Sequence, residues 1–244
     1  MRVAGPALAA VLGAAPAAAV VGGAPDDGPL SRTSVMVLGS NGGVCSAVVV
    51  APDAVLTAAH CVAGAAEHRV HWREASGEPV LLPPAATALH PGYDPKAIAA
   101  RRRSIDLALV RLGSPLPARF EPAALSAAAR REGESLTGGG YGAAREGEAR
   151  STGTFRTVSL AVVEPFGASR ILVWAQGAPG AGACLGDSGG PIAGAAGIFA
   201  VATWSRGAGA RSCGALSQGV LLGPQRPWID RTLAGWGRAA RWEP

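Results

Sequence analysis

A chain of 244 residues that is 48% hydrophobic and 16% charged has the length for one large all-β domain or two smaller ones, and is too apolar for bulk disorder. Its net charge of +5 comes from arginine with Lys96 as the single lysine. Apart from Arg101-Arg102-Arg103 the arginines are scattered, with no basic stripe interleaved with aromatics, which argues against a nucleic-acid partner.

Met1 to Ala19 carries one charge at Arg2, an apolar run through Leu12, and Ala17-Ala18-Ala19. These are the three parts of a secretory signal ending in an A-x-A site, so residues 20–244 are expected to form the exported domain, extracellular or periplasmic. No later stretch reaches the apolar length of a membrane span. Short valine-rich strands are expected at Ser34–Leu38 and Val44–Val50, separated by the turn Ser40-Asn41-Gly42-Gly43, and at Val55–Thr57. Further strands are expected at Arg69–Trp72, Val80–Leu82, Leu107–Leu112, Phe155–Val163, Ile171–Trp174, Ile198–Trp204 and Gln218–Leu222, with Pro- and Gly-rich loops between them. Many short strands at this spacing predict an all-β sandwich or barrel. Pro227–Leu233 reads as a closing helix with proline in its first turn. Ala123–Arg131 is brief and alanine-rich, and 115–122, bounded by prolines, is placed to link two β halves.

The cysteines are Cys45, Cys61, Cys184 and Cys213. An even number fits an exported protein; four allow three pairings, and spacing alone does not choose among them. They lack the close pairs of a structural zinc site, and neither metal nor cofactor is expected.

The concentration of chemistry lies in Cys184-Leu185-Gly186-Asp187-Ser188-Gly189-Gly190-Pro191. A serine hydroxyl becomes a nucleophile when a base takes its proton and a third group orients that base. Of the four histidines, His60 stands apart: it closes a strand in Leu56-Thr57-Ala58-Ala59-His60-Cys61, where small residues allow close packing. Asp106 sits at the mouth of the apolar strand Leu107-Ala108-Leu109-Val110. A carboxylate buried there needs a partner, and an imidazole N–H supplies one. His68, His71 and His90 read as surface or packing residues.

Thr57-Ala58-Ala59-His60-Cys61, Asp106-Leu107-Ala108-Leu109 and Gly186-Asp187-Ser188-Gly189-Gly190-Pro191 resemble the three signatures of the chymotrypsin/trypsin-like serine proteases, in that family's order and 46 and 82 residues apart. His90-Pro91-Gly92-Tyr93, Gly140-Tyr141-Gly142, Thr203-Trp204 and Trp228-Ile229 extend the likeness from Val20 to about Leu233. The resemblance implies two six-stranded antiparallel β-barrels with the site between them and a C-terminal helix. It implies a secreted endopeptidase working through an acyl-enzyme: Ser188 the nucleophile, His60 the base, Asp106 its orienter, and the N–H groups of Gly186 and Ser188 an oxyanion hole.

It further implies that a new α-amino group at Val20 inserts beside Asp187, and that signal removal itself creates this terminus. Cys45 would pair with Cys61 and Cys184 with Cys213; a further bridge common in the family is missing because Trp174 stands at one partner's place. Gly182 would floor the specificity pocket, with Thr203, Trp204, Ser205 and Gly219 along its walls; with no acid at the floor, uncharged apolar side chains would be preferred. Thr203, where serine is usual, would bond Asp106. Ser46-Ala47 replaces the usual glycines with no assigned effect. The partners implied are a protein or peptide substrate and a protein inhibitor, with the chain a monomer. Two other readings are a catalytically silent binding module and an esterase on the same scaffold.

Overall fold

The computed structural model describes residues 20–100 and 102–243; the signal segment expected over 1–19, and Arg101, lie outside the described residues. In the first half, β1 (Ala24–Pro25) and α1 (Pro29–Arg32) precede β2 (Ser34–Gly39), β3 (Val44–Ala51), β4 (Ala54–Thr57), β5 (His68–Arg73), β6 (Pro79–Leu82), β7 (Pro84–Leu89), the short helix α2 (Ala97–Ala100) and β8 (Ala108–Leu112). The second half holds β9 (Ala124–Ser126), β10 (Ser135–Gly140), β11 (Arg156–Val163), β12 (Leu172–Gln176), β13 (Pro191–Gly194), β14 (Gly197–Arg206), β15 (Leu216–Leu221), α3 (Arg226–Gly235) and β16 (Arg241–Glu243). The alanine-rich stretch from Ala123 thus opens with a short strand.

Six strands of the second half close on themselves in the order β10-β11-β12-β15-β14-β13 and back to β10. β9 and β16 add parallel rungs beside β14, and β1 adds to β11. The first half is a curled sheet ordered β6-β5-β2-β3-β4-β8-β7. Its two edge strands are consecutive in the chain and separated only by Pro83, so one bent segment forms both edges. Counted as one strand, β6 and β7 leave six strands in this half also.

Alternation explains the valine run in β3. Ala47 and Val49 point into the first sheet's interior with Val35, Val37, Val55 and Val70. Val48 and Val50 point the other way, into a cluster shared between the halves with Leu56, Leu109, Leu125, Ile198 and Val220. A strand apolar on both faces is what a position between two cores requires. A third cluster, including Leu160, Ile192 and Phe199, fills the closed barrel.

Helix α3 seals the shared cluster. Pro227 lies in its first turn, where its missing N–H costs nothing. Ile229 and Leu233, four apart and so on one face, are fully buried in the shared cluster. Just beyond the helix, the Arg238 guanidinium donates to both carboxylate oxygens of Asp53 at 2.6 and 2.8 Å. This ties the C-terminal segment to the β3–β4 turn. The Arg238 hydrogen bond holds the Asp53 carboxyl below its ordinary range against the opposing pull of burial. A depressed folded pKa means stability present above the unfolded value, near 3.8, and lost as pH falls through the folded one. Arg238→Ala is expected to lower the thermal midpoint by roughly 2–5 °C at pH 7, and by less at pH 3, read by circular dichroism.

Candidate active site

His60 stands in a tight turn at the end of β4, where Ala58 and Ala59 are fully buried and leave no side chain to hold the backbone off. The Cys45–Cys61 disulfide anchors this turn to β3. Asp106 is positioned from the other side: Ile105 N–H donates to Gly92 C=O at 3.0 Å, and His90 N–H to Leu107 C=O at 2.9 Å. Asp106 Oδ1 accepts the His60 backbone N–H at 2.9 Å, and Oδ2 lies 2.6 Å from His60 Nδ1. A carboxylate only accepts, so Nδ1 carries a proton, and it is Nε2 that bears the lone pair whenever the ring is neutral. The Asp106 side chain is 19% exposed and that of His60 40%; the acid is mostly covered and its base faces outward. Two of the other histidines are engaged elsewhere: His71 Nδ1 meets Val80 C=O at 2.8 Å, and His90 Nδ1 accepts Gly92 N–H at 3.0 Å.

The loop around Ser188 can be accounted for group by group. Asp187 N–H donates to Cys184 C=O, Gly189 N–H to Ala202 C=O and Gly190 N–H to Asp187 C=O, at 3.1, 2.7 and 2.8 Å. The Leu185 carbonyl accepts from Ala143 N–H and the Ser188 carbonyl from Ser46 N–H, both at 2.8 Å. The Gly186 carbonyl accepts from the Ser46 hydroxyl at 2.9 Å. Between Gly186 and Gly190, only the N–H groups of Gly186 and Ser188 find no acceptor among the described residues. No Ser188–His60 hydrogen bond is formed. The two come near one another through the disulfide: Ser188 C=O lies 3.8 Å from Cys61 Sγ, and a His60 ring nitrogen lies within 4.8 Å of both sulfurs. That grouping of Cys45, His60 and Cys61 offers no thiolates to a metal, because the two sulfurs are bonded to each other.

Asp187 is 2% exposed. Its oxygens accept the N–H groups of Gly142 and Cys184, each at 2.8 Å. Desolvation pushes its carboxyl up to about 7, against those two hydrogen bonds and the field of Arg156. A Cβ on Gly142 would stand 2.6 Å from the Asp187 backbone nitrogen, which is why glycines flank Tyr141. Val20, 2% exposed with φ +47, lines one small cavity with Asp187. The next residues are already docked, Gly182 N–H donating to Val21 C=O at 2.9 Å.

The second disulfide, Cys184–Cys213, ties the serine loop to the segment after β14. Gly182 is buried, and Ser205 and Trp204 lie half-buried on β14. Two expectations need correction. The Thr203 hydroxyl receives the Gln218 amide at 3.4 Å and makes no bond to Asp106. Gly219 stands opposite Ala202, packed toward Ile192 inside the barrel; the residue opposite Ser205 is Ser217. Its Oγ accepts Ala183 N–H at 2.9 Å and lies 3.2 Å from where a Gly182 Cβ would be. The cause is a bulge between Ala202 and Trp204 that shifts the β14–β15 register by one residue. Ser217 was missed because nothing in its local sequence marks that shift.

Ser46 was missed as well. It is fully buried, and besides its bonds to Gly186 and Ser188 its Oγ accepts Tyr141 N–H at 2.9 Å, while its carbonyl accepts the Thr57 hydroxyl at 2.7 Å. The sequence does flag it, as a polar residue where the resemblance has glycine.

Comparison with known proteins fits this geometry. The family model for trypsin matches residues 20–228. No curated protein sequence matches the chain. Among solved structures, neuropsin, a serine protease expressed in the limbic system of mouse brain, aligns with TM-score 0.70 at 22% identity, covering 87% of this chain and 99% of its own. Human heparin binding protein aligns with TM-score 0.73 at 21% identity, covering 90% and 99%. The closed barrel, its curled companion sheet, the C-terminal helix and the match from Val20 onward lead to one conclusion: the chain belongs to the trypsin family.

Proposed function

We propose that residues 20–244 act as a secreted serine endopeptidase, in which Ser188 attacks the carbonyl carbon of a peptide bond. His60 Nε2 takes the Ser188 proton and returns it to the leaving amine, and Asp106 holds the Nδ1 proton and stabilises the imidazolium. The carbonyl oxygen, as it gains charge, is met by the N–H groups of Gly186 and Ser188. The observation that carries this reading is that from Gly186 to Gly190 these two N–H groups alone stand without an acceptor among the described residues, while the carbonyls from Leu185 to Ser188 are all held. Preset donors of this kind cost no reorganisation when charge develops. The Ser188–His60 hydrogen bond forms, on this account, when substrate closes the site.

Export and processing belong to the same reading: the signal is removed after Ala19, residues 115–122 join the two β halves, and the freed Val20 ammonium pairs with Asp187. The two disulfides fit an oxidising compartment, and no helix among the described residues is long and apolar enough to cross a membrane. Proteins of the trypsin family act on protein or peptide substrates. The preferred residue before the cut is uncharged, because Gly182, Ser205 and Ser217 around the pocket floor offer hydroxyls and no counter-charge. Cleavage of a mixed peptide library, read by mass spectrometry, tests this. Cuts after apolar or small uncharged residues are expected, and cuts concentrated after Arg, Lys, Asp or Glu contradict the pocket reading.

A binding-module reading has two supports, the heparin binding named for one structural neighbour and the chain's positive charge. Nine of the 21 arginines pair with carboxylates, among them Arg102 with Asp94 and Arg119 with Glu74, and apart from Arg101-Arg102-Arg103 the arginines are scattered along the sequence and form no basic run. The enzyme reading is therefore favoured.

A further inference from the structure

We infer that Ser46 is a positioning residue for the oxyanion hole, acting across the interface between the halves. This rests on the serine-hydrolase reading above and adds a residue to it. Ser46 belongs to β3 of the first sheet, yet it grips the catalytic loop of the second half at two points. Its hydroxyl donates to Gly186 C=O at 2.9 Å, and its backbone N–H donates to Ser188 C=O at 2.8 Å. These carbonyls bracket the Asp187–Ser188 peptide that carries one of the two free N–H groups. The adjoining residue Gly186 has φ +98, a region glycine shares with many alternatives, so its own preferences do not fix the peptide that follows. The Ser46 hydroxyl supplies the constraint.

That hydroxyl is itself oriented. It accepts Tyr141 N–H at 2.9 Å, which leaves its single proton for Gly186 C=O. Tyr141 is fixed in turn by its phenol donating to Ser34 C=O at 3.0 Å. With glycine at position 46 the backbone bond to Ser188 C=O would survive, and both hydroxyl bonds would be lost. The side chain therefore governs the Gly186 end of the loop, and the backbone the Ser188 end. An effect on the aim of the donors appears where negative charge develops on the substrate oxygen, and not in ground-state substrate binding.

The test compares tripeptide aldehydes with the matching tripeptide alcohols, using apolar, acidic and basic terminal residues, on the exported domain beginning at Val20. An aldehyde carbon adds Ser188 Oγ as the Ser188 proton passes to His60 Nε2, and the electron pair of the opened C=O bond leaves its oxygen as the hemiacetal oxyanion in the hole; an alcohol occupies the same subsites without that bond. Ser46→Ala is expected to weaken the best aldehyde by 10- to 100-fold and the alcohol by less than twofold, with kcat falling in parallel and KM within twofold. Ser46→Cys keeps the side chain's size and donates weakly, so it gives a smaller loss of the same selectivity and serves if the alanine variant does not fold. Equal weakening of aldehyde and alcohol, or no change in either, overturns the role of Ser46 while leaving the hydrolase reading intact. A wild-type domain that binds no aldehyde more tightly than its alcohol overturns both.

Discussion

Replacing Ser188 with alanine is expected to lower kcat for peptide hydrolysis by roughly 10⁴- to 10⁶-fold, with KM nearly unchanged. The loss is this large because the hydroxyl is the only atom that forms the covalent intermediate. His60→Ala should cost about as much, and the double variant little more, since nucleophile and base act as one unit. Asp106→Asn keeps the size of the group that meets His60 Nδ1 at 2.6 Å but offers an N–H that favours the wrong tautomer. A drop on the order of 10⁴ is expected there. All three variants should bind a substrate-derived alcohol as the wild type does. Residual activity within tenfold of wild type in Ser188→Ala would remove this serine from the chemistry.

Between pH 4 and 7 a chain retaining Ala19 should lose stability as the pH rises, and one beginning at Val20 should not. With Val20 in peptide linkage, Asp187 is buried beside no ammonium, and its carboxyl titrates at about 7 instead of the ordinary 3.8. Between these values the folded state holds a proton that the unfolded state has released. Stability therefore falls as pH rises from about 4 to about 7, and is level outside that window. Three pH units correspond to roughly 4 kcal/mol at most. A free Val20 ammonium in the shared cavity supplies the missing charge, keeps Asp187 ionised, and removes the loss until the pH passes the amine's own raised pKa, above about 8. Urea midpoints from pH 4 to 8 should diverge, the Val20 form gaining on the extended form toward pH 7. Activity should differ in the same direction, by 100-fold or more at pH 7, because Asp187 lies between Gly186 and Ser188, the two proposed oxyanion donors. Parallel stability curves would contradict the pairing.

Much of this was legible because β-branched residues and fixed motifs mark their own structure. The valines of β2, β3 and β4, and the apolar runs of β8, β11 and β14, announce strands by composition. β7, β10 and β13 do not: Pro84-Ala85-Ala86-Thr87-Ala88-Leu89 and Ser135-Leu136-Thr137-Gly138-Gly139-Gly140 read as loops, and their extended form is imposed by partner strands. His60, Asp106 and Ser188 stand out as candidates in the sequence because each sits in a short stretch of distinctive neighbours. Ser46 and Ser217 act through partners 34 to 140 residues away; the contribution of Ser217 appears only once the second barrel has closed, and that of Ser46 only once the halves are docked. The Gly219 assignment failed on a single bulged residue, Thr203, which also turned out to face Gln218 and not Asp106.

The central claim is that one serine in this chain has been made nucleophilic by His60 and given a preset anion site. Treating the Val20-initiated domain with a fluorophosphonate and mapping the modified peptide by mass spectrometry tests it directly. One adduct per chain, on Ser188, and its loss in His60→Ala, is the expected result; an unmodified Ser188, or labelling unaffected by removal of His60, would contradict it.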